Sequence, residues 1–112
     1  QHRIGLAVFP RDRFVSIDGG ANRGVITTRP LDLMGDRLHL NVDAVRGQVR
    51  VAALDGAGQV LPGLGLDDCV PIDQNSLDVP VVWKDGRGLG EERRIRLLFE
   101  LRQAELFSFW VD

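Results

Sequence analysis

Between Leu38 and Gly58 the chain alternates apolar and polar residues with a period of two, punctuated by glycine. Leu38-His39-Leu40-Asn41-Val42-Asp43 leads through a glycine turn into Gln48-Val49-Arg50-Val51-Ala52-Ala53-Leu54, then Asp55-Gly56-Ala57-Gly58. Successive side chains of a strand point to opposite faces, and glycine supplies the positive φ at which the chain reverses, so this stretch reads as antiparallel strands joined by tight turns. A sequence patterned this way commits nearly every patterned residue to packing.

The same reading extends in both directions. Ile4 to Val8 alternates Ile4, Leu6 and Val8 against Gly5 and Ala7, and Arg13 to Asp18 reads as a second strand stopped by Gly19-Gly20. Gly24 to Thr28 is rich in β-branched residues, and Leu31 to Met34 continues it beyond Pro30, whose missing donor argues for an edge or a bend. Val60 to Ile72 is loop-rich. Ser76 to Trp83 alternates through Leu77, Val79, Val81 and Trp83; Arg94 to Arg102 sets Ile95, Leu97, Phe99 and Leu101 on one face; Glu105 to Val111 ends the pattern. No window sustains a helical period with caps. Eight or nine short strands at this spacing predict an all-β fold, an antiparallel two-sheet β-sandwich of jelly-roll type.

The 112 residues suffice for a single β-sandwich domain over 1–112, burying roughly two thirds of its unfolded surface. Lys and Arg number 14 against 16 Asp and Glu, a net charge of -2, which gives no field to gather nucleic acid or an acidic membrane surface. Neither is expected as a partner. Cys69 stands alone, so no internal disulfide or thiolate-rich zinc site forms, and a small buried hydrophobe is its expected role. No apolar run approaches the ~18 residues of a membrane span, no signal peptide is recognisable, and the start at Gln1 suggests an excised domain or a processed chain.

A series of short motifs carries a resemblance. Arg13-Phe14-Val15-Ser16-Ile17-Asp18, Gly24-x-Ile26-Thr27-Thr28-x-Pro30-Leu31, Leu40-Asn41-Val42-Asp43-Ala44, Val49-Arg50-Val51, Leu54-Asp55-x-x-Gly58 and Leu61-Pro62-Gly63 occur in order. Asp67-Asp68, Val82-Trp83-Lys84, Ile95-Arg96-Leu97-x-Phe99-x-Leu101 and Ala104-x-Leu106-Phe107-Ser108-Phe109 follow. From about Ile4 to Val111 the chain resembles the C-terminal β-sandwich accessory domain of bacterial glycoside-hydrolase-like proteins whose main domain is a five-bladed β-propeller. It departs in having Phe107 where that family usually has Tyr, and in a short segment from Gly86 to Arg93. The resemblance implies a non-catalytic, carbohydrate-binding accessory module of a carbohydrate-active protein, secreted or periplasmic as part of a larger protein. Its implied partners are a polysaccharide or oligosaccharide and a parent catalytic domain. The alternative is a structural domain that packs against the glycosidase propeller and binds no sugar.

The residues themselves support little catalysis. Asp67-Asp68 with Asp73 or Asp78 could supply a carboxylate pair for glycoside chemistry, but adjacent residues point apart and loop aspartates make turns. A structural calcium ion is the possible cofactor, with Asp12, Asp18, Asp55, Asp67, Asp68 and Asp112 as available oxygens, although no spacing forms a dedicated calcium loop. His39 falls on the polar face of its strand, as a solvated surface histidine, and His2 lies near a terminus. No Gly-x-Ser-x-Gly elbow accompanies Ser16, Ser76 or Ser108. Sugar binding would rest on Trp110 and Trp83, since modules of that kind stack pyranose faces on exposed aromatics. Trp83 shares parity with Val79 and Val81 and points to the core. Parity also sets Phe107, Phe109 and Val111 inward and Leu106, Ser108 and Trp110 outward, as an apolar patch that could hold a glycan or dock a neighbouring domain.

Overall fold

In the computed structural model, which describes residues 4–8, 23–32, 35–86, 88–89 and 94–112, the alternating segments become strands, those expected over Gly24 to Thr28 and Ser76 to Trp83 with shifted limits. They are β1 Ile4–Val8, β2 Arg23–Thr27, β3 Leu31–Asp32, β4 Leu38–Asp43, β5 Gln48–Leu54, β6 Asn75–Val81, β7 Arg94–Arg102 and β8 Glu105–Val111. The strand expected over Arg13 to Asp18, the end of Leu31 to Met34 and most of the segment after Gly86 lie outside the described residues.

The first sheet has the order β1-β8-β4-β6; in the second, β7 pairs with β2, β3 and β5, and every pairing in both is antiparallel. Apart from β2 and β3, which both pair with β7, consecutive strands pass from one sheet to the other, with β1 and β8 adjacent in the first. This is the jelly-roll order, and the fold is an all-β sandwich. Leu38, Leu40, Val42 and Phe109 of the first sheet meet Val49, Val51, Leu97, Phe99 and Leu101 of the second in one buried core. Alternation places them there, because each strand contributes every second residue.

An irregular chain stands where a regular sheet would add another strand beside β5. The Asp55 carboxylate turns the chain by accepting from the Ala57 and Gln59 amides, both at 2.9 Å, with Gly58 at φ +90. The return segment then touches β5 at intervals. Val49 exchanges backbone bonds with Ile72, and Ala53 donates to Leu64 O and accepts from Leu61 N. Between these contacts, Val51 finds no backbone partner on this side among the described residues. Its N–H donates to Cys69 Sγ at 3.3 Å, and its carbonyl accepts from Trp83 Nε1 at 2.9 Å. Two side chains thus complete the edge of β5, as a buried backbone requires.

Two bulges flank β4 at the same level. Asn41 and Val42 oppose Ser108 and Leu106, so β8 carries an extra residue at Phe107, while Leu40 and Val42 oppose Val79 and Ser76, so β6 carries one over Leu77 and Asp78. Each bulge reverses the parity beyond it. Leu106 is therefore buried in the core rather than outward, Phe107 is only partly buried, and Leu77 is 80% exposed instead of sharing the face of Val79. β6 lies at the end of its sheet, where Pro80 has no amide hydrogen and the Asp78 amide donates to Ser76 Oγ. At the turn into β5, Gly47 has no substitute, since a Cβ there would meet Arg102 O at 1.7 Å.

Candidate functional site

The two tryptophans lie in different parts of the sandwich, and neither presents a ring to solvent. Trp83 sits just beyond β6 in the core with Val79 and Val81, its nitrogen bonded to the Val51 carbonyl. A sugar would have to displace a core element to reach it. Trp110 has the expected parity, opposite to Phe109 and Val111, and stands outside the main core cluster. It is nevertheless only 2% exposed. The open apolar patch expected around Leu106, Ser108 and Trp110 is thus corrected: the bulge at Phe107 takes Leu106 inward, Ser108 is buried, and the indole is covered.

Part of that cover is His39, the neighbour of Trp110 across the β4–β8 ladder. The rings lie 5.4 Å apart between centroids and 3° from parallel. His39 Nδ1 is 2.8 Å from Asp78 Oδ1 on β6, and Nε2 is 2.8 Å from Asp112 Oδ1 just past β8. The expectation of a solvated surface histidine fails here because cross-strand neighbours on both sides bring carboxylates to it. With both nitrogens engaged by carboxylate oxygens, neither is left to activate a hydroxyl nucleophile. The group acts as a brace across β6, β4 and β8.

The outward face of the second sheet carries a buried carboxylate. Glu100 on β7 is 2% exposed and accepts from Arg50 Nε at 3.0 Å and Nη2 at 2.7 Å, with Arg102 Nη2 at 3.7 Å from its other oxygen. Charge-assisted bonds of this length hold β5 to β7. Asp67, almost fully exposed, lies 3.7 Å from Arg50 Nη1, and Asp68 accepts from the Gly65 amide at 3.1 Å. These loop aspartates make turns and surface pairs, and Asp78, the other carboxylate considered with them, is held by His39. Among the described residues no three His, Cys, Asp or Glu side chains converge as a cation site; Asp12 and Asp18 lie outside those residues.

Burial pushes the Cys69 thiol above its ordinary value of 9.0, against the smaller opposing effects of the Val51 amide and the Arg50 charge. The folded chain therefore keeps this proton to higher pH than the unfolded one. The associated stability is complete below about pH 9 and is lost as pH rises through the folded value. Between about pH 8 and pH 10 the urea midpoint of the wild type should fall more than that of Cys69→Ser, which has no thiol to titrate. Parallel curves would show that the thiol is not so shielded.

The sequence signal for the tryptophans was their parity, which placed both correctly but could not report what covers an outward face. The signal for His39 is its parity, which sets it on the outward face with Trp110 one strand away. Comparison of the chain with protein-family models, curated proteins and solved structures finds no match.

Proposed function

We propose that this chain is a non-catalytic accessory module of a carbohydrate-active protein, and that it works by packing against a five-bladed propeller domain rather than by stacking sugar. The observation that carries the choice is the burial of both indoles, which removes the aromatic platform a neutral glycan would use. Among the described residues the large apolar side chains left at the surface are aliphatic instead: Leu77, Val45, Val60, Val70 and Val25. Leu77 and Val45 belong to the same end of the sandwich, where Asp43 pairs with Asn75 and the Ala44 amide donates to Gln74 O. Aliphatic surface of this kind suits a protein neighbour.

The test mixes the isolated chain with a five-bladed propeller of the class it resembles and, separately, applies it to an array of neutral glycans. Association with the propeller that is weakened by Leu77→Asp, with the array blank, is the expected result. Trp110→Ala should lower the thermal midpoint and leave the array blank. Retention of the wild type on a neutral glycan, lost in Trp110→Ala, would overturn the packing reading in favour of sugar stacking.

A further inference from the structure

We infer that His39, Asp78 and Asp112 form a proton-operated latch on the first sheet, which ties β6 to β4 and β8 while the imidazole is charged and lets go of β6 when the ring gives up its proton. His39 Nδ1 lies 2.8 Å from Asp78 Oδ1, and Nε2 lies 2.8 Å from Asp112 Oδ1. An ionised carboxylate only accepts, and a neutral imidazole has a single N–H to donate. Both contacts are hydrogen bonds only when both nitrogens donate, which makes the ring an imidazolium between two anions. Release of one proton to solvent turns one contact into a lone pair facing a carboxylate oxygen. That arm then opens.

The arm to Asp78 is the weaker of the two. Asp112 is anchored through its backbone: its carbonyl accepts from the Asp36 and Arg37 amides at 3.2 and 3.1 Å, and its amide donates to Arg37 O at 2.9 Å. Asp78 sits in the bulge of β6 at the margin of the sheet, its amide turned back to Ser76 Oγ, and its side chain is the more exposed, 49% against 37%. β6 brings no charge but Asp78, with Lys84 beyond its end. β4 carries Arg37 just before its start and Asp43 at its far end, and β8 sets Glu105 opposite Asp43 and Trp110 against the ring. A charged ring gains from the face of an indole what a neutral one does not, so proton loss weakens the stack on Trp110 together with the arm. Leu77 adjoins Asp78 in the same bulge, so the latch also sets how firmly that exposed side chain is presented.

The latch does not depend on what Leu77 meets, and the chain alone suffices to test it. With the histidine ring nitrogens isotope-labelled for NMR, His39→Gln separates the signals of His39 from those of His2. Both His39 nitrogens should carry hydrogen at about pH 5.5, and one should lose it on the way to about pH 8. The charged ring stabilises the folded chain only, so what it adds is present in acid and is lost as pH rises and the proton leaves. Over this range, below that in which Cys69 titrates, the thermal midpoint of the wild type should fall by about 3 °C or more relative to that of His39→Gln. Asp78→Asn separates a latch from a merely structural contact. Its amide can donate to a neutral Nδ1 and close the arm without the extra proton, so its midpoint should follow pH no more steeply than that of His39→Gln. A His39 ring that keeps the same number of hydrogens throughout would overturn the latch. So would wild-type and Asp78→Asn midpoints that run parallel with pH.

Discussion

Replacing Trp83 with alanine should cost about 4–6 kcal/mol: roughly 3–5 for a large buried aromatic, and more for the Val51 carbonyl left without its donor. The indole does two jobs at once. It fills the core beside Val79 and Val81, and it bonds the Val51 carbonyl of β5 where the segment after Val60 supplies only the Cys69 thiol to the Val51 amide. The whole stability of a domain this size is about 5–15 kcal/mol, so Trp83→Ala could leave little folded protein. Trp83→Phe separates the two contributions, since it keeps most of the ring and removes the nitrogen. It should cost about 1–3 kcal/mol, read as a lowered urea midpoint with an unchanged slope. A loss below ~1 kcal/mol in Trp83→Phe would mean that water takes over the Val51 carbonyl.

Phe99→Ala is expected to cost about 3–5 kcal/mol, from an entirely different place in the sandwich. Phe99 lies on β7 between Ile26 of β2 and Val51 of β5, and faces Phe109 of the other sheet with ring centroids 5.2 Å apart and planes tilted by 39°. Its removal opens a cavity where the two sheets meet, with rigid strands on either side to limit collapse. A double-mutant cycle with Phe99→Leu and Phe109→Leu should return a coupling of about 0.5–1.5 kcal/mol for the tilted ring pair. A single-site loss under ~1 kcal/mol for Phe99→Ala would show that the core refills around it.

Strand limits were legible because they depend on local alternation: β1, β4, β5, β7 and β8 have the bounds that the sequence pattern predicts. Facing was legible only between bulges. Leu106 and Leu77 were misplaced because one inserted residue on β8 and another on β6 reverse the parity, and no glycine or proline at Phe107 or Leu77 announces the insertion. The covering of Trp110 and the double engagement of His39 were not legible, since they join residues from β4, β6 and the end of β8. Nor does any local pattern disclose that a thiol and an indole finish the edge of β5. The pairing of Arg94 with Asp32 and of Arg102 with Glu100 likewise needs the register, because it joins residues far apart in the chain or alternate along one strand.

The outer border of β6 governs how the molecule tolerates crowding. A bare strand margin invites another chain to lengthen the sheet, and from there growth can continue without limit. Pro80 offers no hydrogen, the Asp78 amide is spent on Ser76, and the extra residue at Leu77 twists the margin away from a straight run. Whatever approaches this border can be gripped by side chains such as Leu77 but cannot be stitched on by its backbone. The domain can thus offer an apolar contact at its rim while keeping that rim from seeding a fibre.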